Sequence, residues 1–136
     1  MSLVVCNAGE LLLLEWALKS SSTPENLTLK LYTNDYTPVA TSTAGNFTEA
    51  TFTGYAAKTL TRGSWVAPST NGSGEAEATY AAQDWEAESA QTVYGYYVVG
   101  ATSGTLVWAQ RFATARSVAD GDTLTITPKF TLHSEN

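Results

Sequence analysis

The 136-residue chain is poor in cysteine, histidine and charge, and each shortage removes a class of protein. Its one cysteine, Cys6, cannot close an internal disulfide. The fold is therefore not stapled as small secreted scaffolds are, and it suits assembly in a reducing cytoplasm with Cys6 as a small buried hydrophobe. Its one histidine, His133, stands three residues from the end, where a side chain is normally solvated. A serine-type triad needs a positioned imidazole, and a structural zinc site needs about four Cys or His ligands, so neither chemistry is expected. Seven Lys and Arg against 13 Asp and Glu give a net charge of −6, a poor match to nucleic-acid phosphates or an anionic membrane surface. The longest apolar run, Leu11 to Leu14, falls far short of the roughly 20 residues of a spanning helix. No cation precedes Lys19, so a basic signal-peptide start is missing and a soluble, unexported protein is expected. No glycine-rich phosphate cradle opens a helix after a strand, and no cofactor is expected.

What stands in place of charge is Thr, whose 21 copies outnumber the 20 charged residues, together with 12 Ser, 19 Ala and 15 aromatics. Thr and aromatics fit pleated, half-buried surfaces. One helix is predicted over residues 8–19, opened by Asn7 and Glu10 in capping-box spacing. Leu11, Leu12, Leu13, Leu14, Trp16, Ala17 and Leu18 run most of the way round it, so it must be covered on more than one face, either within its own domain or by another subunit.

Beyond it the period is two. Leu27, Leu29 and Leu31 alternate with polar residues as in a strand, residues 34–48 read as a long surface loop, and a strand is predicted near residues 57–62. Residues 68–74 read as a turn and 76–80 as a strand with an acidic polar face, while 83–88 fit a strand or a loop. Residues 92–99 are apolar on both faces, as a central strand should be, and turn back through 100–104 into a strand over 105–112. Val93, Val99, Leu106, Trp108 and Phe112 are predicted core residues. A last strand runs over 124–132, with Pro128 placing it at an edge or a bulge. Six to eight strands and one helix predict an all-β fold, mainly an antiparallel β-sandwich or jelly roll, with one N-terminal α-helix in a single domain over residues 1–136.

Two clusters carry chemical possibilities. Glu75, Glu77, Asp84, Glu86 and Glu88 fall within fourteen residues without a cation. They read first as a solvated sheet face, and alternatively as a calcium site or a glycosidase acid and base. Tyr94, Tyr96 and Tyr97 with Trp65, Trp85 and Trp108 read first as core, and alternatively as a sugar-stacking platform. Asp120-Gly121-Asp122 reads as a turn.

Residues 29–39 (LKLYTNDYTPV), 47–60 (FTEATFTGYAAKTL), 92–100 (TVYGYYVVG), 106–112 (LVWAQRF) and 122–132 resemble a family of small tailed-bacteriophage virion proteins, as does the N-terminal LVVCNAGE followed by its leucine run. The resemblance implies a non-enzymatic virion structural protein with no catalytic, metal or cofactor residues. Within that class a capsid cement or decoration protein is expected, made in the host cytoplasm and bound on the capsid surface to the major capsid protein and to copies of itself as a dimer or trimer, with no nucleic acid and no membrane. Its candidate interface is Leu11, Leu12, Leu14, Trp16 and Leu18 of the helix, with Tyr36, Val39 and Phe47 of the long loop. The alternative is a tail-associated carbohydrate- or receptor-binding module.

Overall fold

Ten strands and one α-helix appear in the computed structural model, which describes residues 3–20 and 22–133. The strands are β1 (Val4–Val5), β2 (Leu27–Tyr32), β3 (Lys58–Leu60), β4 (Ser69–Thr70), β5 (Ala76–Thr79), β6 (Gln83–Glu86), β7 (Gln91–Gly100), β8 (Leu106–Val118), β9 (Thr123–Ile126) and β10 (Lys129–Leu132), and helix α1 spans Asn7–Leu14. They form a five-stranded sheet in the order β1-β8-β7-β2-β3, a three-stranded sheet β10-β5-β4 and a two-stranded sheet β6-β9. Neighbouring strands in all three are antiparallel, so the protein is all-β with a single short N-terminal helix.

The hairpin of β7 and β8 is the centre of the large sheet, and β2 pairs along β7 from Leu27↔Gly100 to Tyr32↔Gly95. Period-two alternation sends Leu27, Leu29, Leu31, Tyr96 and Val98 to one face, where Trp85, Leu124 and Ile126 of the two-stranded sheet join them in the main core. Tyr32, Tyr97, Val99 and Ala109 point the other way into a second cluster with Cys6, Leu106 and Phe47. Because both faces of β7 are covered, its last six residues are all buried, as its unbroken apolar run requires.

Residues 34–48 are folded down as the lid of the second cluster. Asn34 accepts from the Thr48 amide at 2.8 Å and donates to the Asn46 carbonyl at 2.9 Å, closing the loop at its base. Phe47, expected at an interface, is instead 8% exposed and stacks on Tyr97 at 4.7 Å, so it belongs to the interior. The predicted final strand is divided: Pro128, buried and without an amide to donate, separates β9 from β10, which enter different sheets. Residues 83–86 resolve as strand β6, and the predicted turn 68–74 contains β4, a short partner for β5.

Helix α1 departs from its predicted start. Cys6, in extended backbone, is the N-cap, and the Asn7 side chain makes no cap hydrogen bond. Tertiary contacts set this start: the Cys6 amide donates to the Val107 carbonyl at 3.1 Å and the Asn7 amide to the Ala40 carbonyl at 2.9 Å. After Leu14 the chain widens into a π-helical turn over Glu15–Lys19, closed by the Ser20 amide on the Glu15 carbonyl at 2.7 Å, with Ser20 in the left-handed region at φ 56°.

Candidate functional surfaces

The first candidate surface is the outer side of α1. Gly9 lies against the backbone of Val107 on β8, where no side chain fits, and this contact fixes which way the helix is turned. Leu12, Leu13 and Trp16 then pack half-buried on the main core. Leu11, Leu14 and Leu18, spaced i, i+3, i+7, are left 65%, 54% and 80% exposed. Val39 is 50% exposed on the loop whose next residue, Ala40, binds the first turn of the helix. Tyr36 is half-buried, its hydroxyl sharing a 2.7 Å hydrogen bond with Ser42. Of the eight candidate interface residues, the structure thus exposes Leu11, Leu14, Leu18 and Val39, turns Leu12 and Trp16 toward the core, half-buries Tyr36 and encloses Phe47.

Just before β2, Glu25 clasps the β7–β8 turn. Its carboxylate accepts from the Thr102 amide at 2.5 Å and from the Ser103 amide and hydroxyl at 2.9 and 2.5 Å. Burial alone would raise its pKa, but the bonds from Ser103 and Thr102 outweigh burial and hold the carboxyl below its ordinary range.

The second candidate surface is a cleft of about 550 Å³ between β5, β8, β9 and β10. The pairing of β7 with β8 steps from Gly95↔Arg111 to Val93↔Arg116, so residues 112–115 bow out of the ladder opposite Tyr94. At the start of that bulge Phe112, predicted as core, packs half-buried on the main core and lines the cleft, with the Arg116 guanidinium 5.1 Å from its ring centre. On the opposite wall Asn71 Nδ2 donates to Glu75 at 3.2 Å and to Glu77 at 3.1 Å. Lys129 pairs with Glu77 at 3.6 Å, and His133 approaches Glu75 at 3.2 Å. Tyr96 forms part of the floor, its hydroxyl donating to Gln110 at 2.8 Å, and burial pushes its pKa up to about 12.

The acidic run therefore divides. Glu75 and Glu77 are gathered into the cleft, Asp84 accepts from the Thr125 hydroxyl at 2.6 Å, and Glu86 and Glu88 are exposed. Among the described residues, no three His, Cys, Asp or Glu side chains are grouped to hold a metal ion. The aromatic run is mostly interior: Trp85, Trp108, Tyr96 and Tyr97 are buried, and Trp65 and Tyr94 are half-buried. Asn71, Gln110, Phe112 and Lys129 are among the cleft residues that sequence reasoning missed as a site, because they lie on segments far apart in the chain that meet only through the tertiary fold.

Fold and surfaces together define a small all-β structural module with an apolar helix face and an open polar cleft. Residues 5–131 match the family described as Podophage GP4 fiber I protein gp80, and the chain belongs to that family. It is therefore a structural component of a small tailed-phage virion. The capsid-decoration part of the sequence reading gains no support from a match that names a fibre. No curated protein matches the chain.

Proposed function

We propose that the chain is a non-enzymatic building block of a podophage fibre, assembled with copies of itself through the Leu11, Leu14 and Leu18 face and acting in attachment. The observation that carries this reading is the match of the fibre family to residues 5–131. The size of the helix face supports repeated contacts within an assembly. Fully burying one exposed leucine is worth roughly 1.5–3 kcal/mol, and these three are already partly covered, so together they supply about 3–6 kcal/mol. A lone stable dimer needs on the order of 800 Å² per partner. Three leucines fall short of that, so copies associate weakly in dilute solution and hold firmly where neighbours raise their effective concentration.

Immunogold labelling of intact virions tests the reading. Label on fibres supports it. Label spread over the head, with heads that release DNA at lower temperature when the gene is deleted and adsorb normally, refutes it in favour of capsid cement seated on the major capsid protein.

A further inference from the structure

Asn71-Gly72 is the one Asn-Gly step in the chain. At such a step the glycine's backbone nitrogen attacks the asparagine side chain more readily than elsewhere, because no β-carbon hinders the approach, and asparagine is among the thermolabile residues. Gly72 is exposed, and a β-carbon added to it would meet nothing within 4 Å, so no neighbour shields it. The sequence therefore places a reactive pair at the tip of the β4–β5 hairpin.

The fold commits the Asn71 side chain elsewhere, as the hub of the turn. Its Oδ1 accepts from the Ser73 and Glu75 amides at 2.9 and 3.0 Å, and its Nδ2 donates to Glu75 at 3.2 Å and to Glu77 at 3.1 Å. The Asn71 backbone amide donates to the Glu75 carbonyl at 2.9 Å, and its carbonyl accepts from the Gly74 amide at 3.0 Å. Ring closure onto the Gly72 nitrogen requires the side chain to turn away from all of these side-chain partners. A net hydrogen bond is worth a factor of roughly two to ten in an equilibrium, so the four together hold the reaction back on the order of a hundredfold. That protection lasts only while the hairpin is closed. Strand β4 is two exposed residues, paired at Ser69↔Glu77 and Thr70↔Ala76, and so short an exposed strand opens locally at low cost.

We propose that Asn71 is a modification site gated by this hairpin: opening permits spontaneous deamidation, and the product prevents reclosing. The Gly72 nitrogen bonds to Asn71 Cγ, the Cγ–Nδ2 bond breaks, and Nδ2 leaves as ammonia with the Gly72 amide proton, giving a succinimide. Water then opens the ring, at the side-chain carbonyl to an aspartate or at the backbone carbonyl to an isoaspartate. Either product puts a carboxylate where the Nδ2 donors stood, against Glu75 and Glu77, whose partners Lys129 and His133 already serve those two charges. The isoaspartate also routes the main chain through the side chain, which lengthens the turn and breaks its register. Nothing in this chemistry depends on where in the virion the chain sits.

The test incubates the full chain in warm, mildly alkaline buffer, folded and in urea, and follows every asparagine by peptide mass mapping. In urea Asn71 should react ahead of every other asparagine, and in the folded protein about a hundredfold more slowly than in urea. Gly72→Ala, whose added β-carbon hinders the attack and meets open space, should slow the reaction severalfold in urea. Glu77→Ala removes one Nδ2 partner and should speed it about two- to tenfold in the folded protein, with the urea rate unchanged. In Asn71→Asp, which carries one of the products, hydrogen exchange at the Ser73, Gly74 and Glu75 amides should quicken about tenfold or more, while protected amides in β7 and β8 show that the body is folded. Another asparagine leading in urea, equal rates folded and in urea, no effect of Glu77→Ala, or wild-type exchange in Asn71→Asp overturns the proposal.

Discussion

Replacing Gly9 with alanine sets two known effects against each other. Helix propensity favours alanine by up to about 1 kcal/mol, less in a first turn. Opposing it, a β-carbon on Gly9 would lie closer than 3.0 Å to the backbone carbonyl and Cα of Val107, atoms that cannot rotate away. Relief requires the helix to lift as a body from β8, which draws Leu12, Leu13 and Trp16 off the core they pack against. Overpacking of this kind costs about 1–3 kcal/mol, with more where a backbone contact must be opened. The balance is a loss of about 1–3 kcal/mol, because the clash outweighs the propensity gain. For a chain of 136 residues each kcal/mol shifts Tm by roughly 3–5 °C, so a fall of about 3–15 °C is expected. Calorimetry with urea unfolding measures it. A Gly9→Ala protein as stable as wild type, or more stable, is what propensity alone dictates and would refute the seating of α1 on β8.

Three further outcomes follow from named contacts. Trp108 is buried against Phe130 at 4.7 Å and Trp65 at 6.1 Å, so Trp108→Ala should cost about 3–5 kcal/mol in chemical denaturation; a loss below about 1 kcal/mol would contradict that packing. The Glu25 carboxyl is held below its ordinary value of 4.5, so the stability it contributes is complete above pH 4.5 and is lost as pH falls through its lowered folded value. Glu25→Gln should therefore lower stability at pH 7, by about 1 kcal/mol given its partial exposure, and flatten the acid limb; an unchanged acid limb counts against the clasp. Cys6 is fully enclosed and burial pushes its thiol pKa up, so it should resist a thiol-specific disulfide reagent at pH 8 and react fully in denaturant; fast native labelling would show that α1 opens readily.

How much of the fold is legible in the sequence depends on whether the signal is local. The alternating leucines of β2 and the doubly apolar β7 are readable because burial of one face or both is written directly into residue order, and the turn at residues 101–104 separates β7 from β8. The helix is legible as a helix but not in its start or its rotation. Its first turn is placed by bonds to Val107 and Ala40, distant in sequence, and its exposed face by the Gly9 contact. Phe47 and Phe112 show the same limit to different degrees. Phe47, in a polar-looking loop, is enclosed because that loop folds onto Tyr32 and Tyr97, while Phe112 packs on the main core as its register predicts but stays only half-buried where the β8 bulge begins.

The cleft is the feature least accessible to sequence. Asn71, Glu77, Phe112 and Lys129 lie on four separate segments, and residue order carries no record of their meeting. By itself the sequence determined that the protein is all-β, which strand faces must be buried, and that its single cysteine cannot close an internal disulfide. Only tertiary structure decided which element covers each buried face and where polar groups converge. Periodicity is a property of neighbours along the chain, whereas covering and convergence depend on contacts closed across long stretches of sequence.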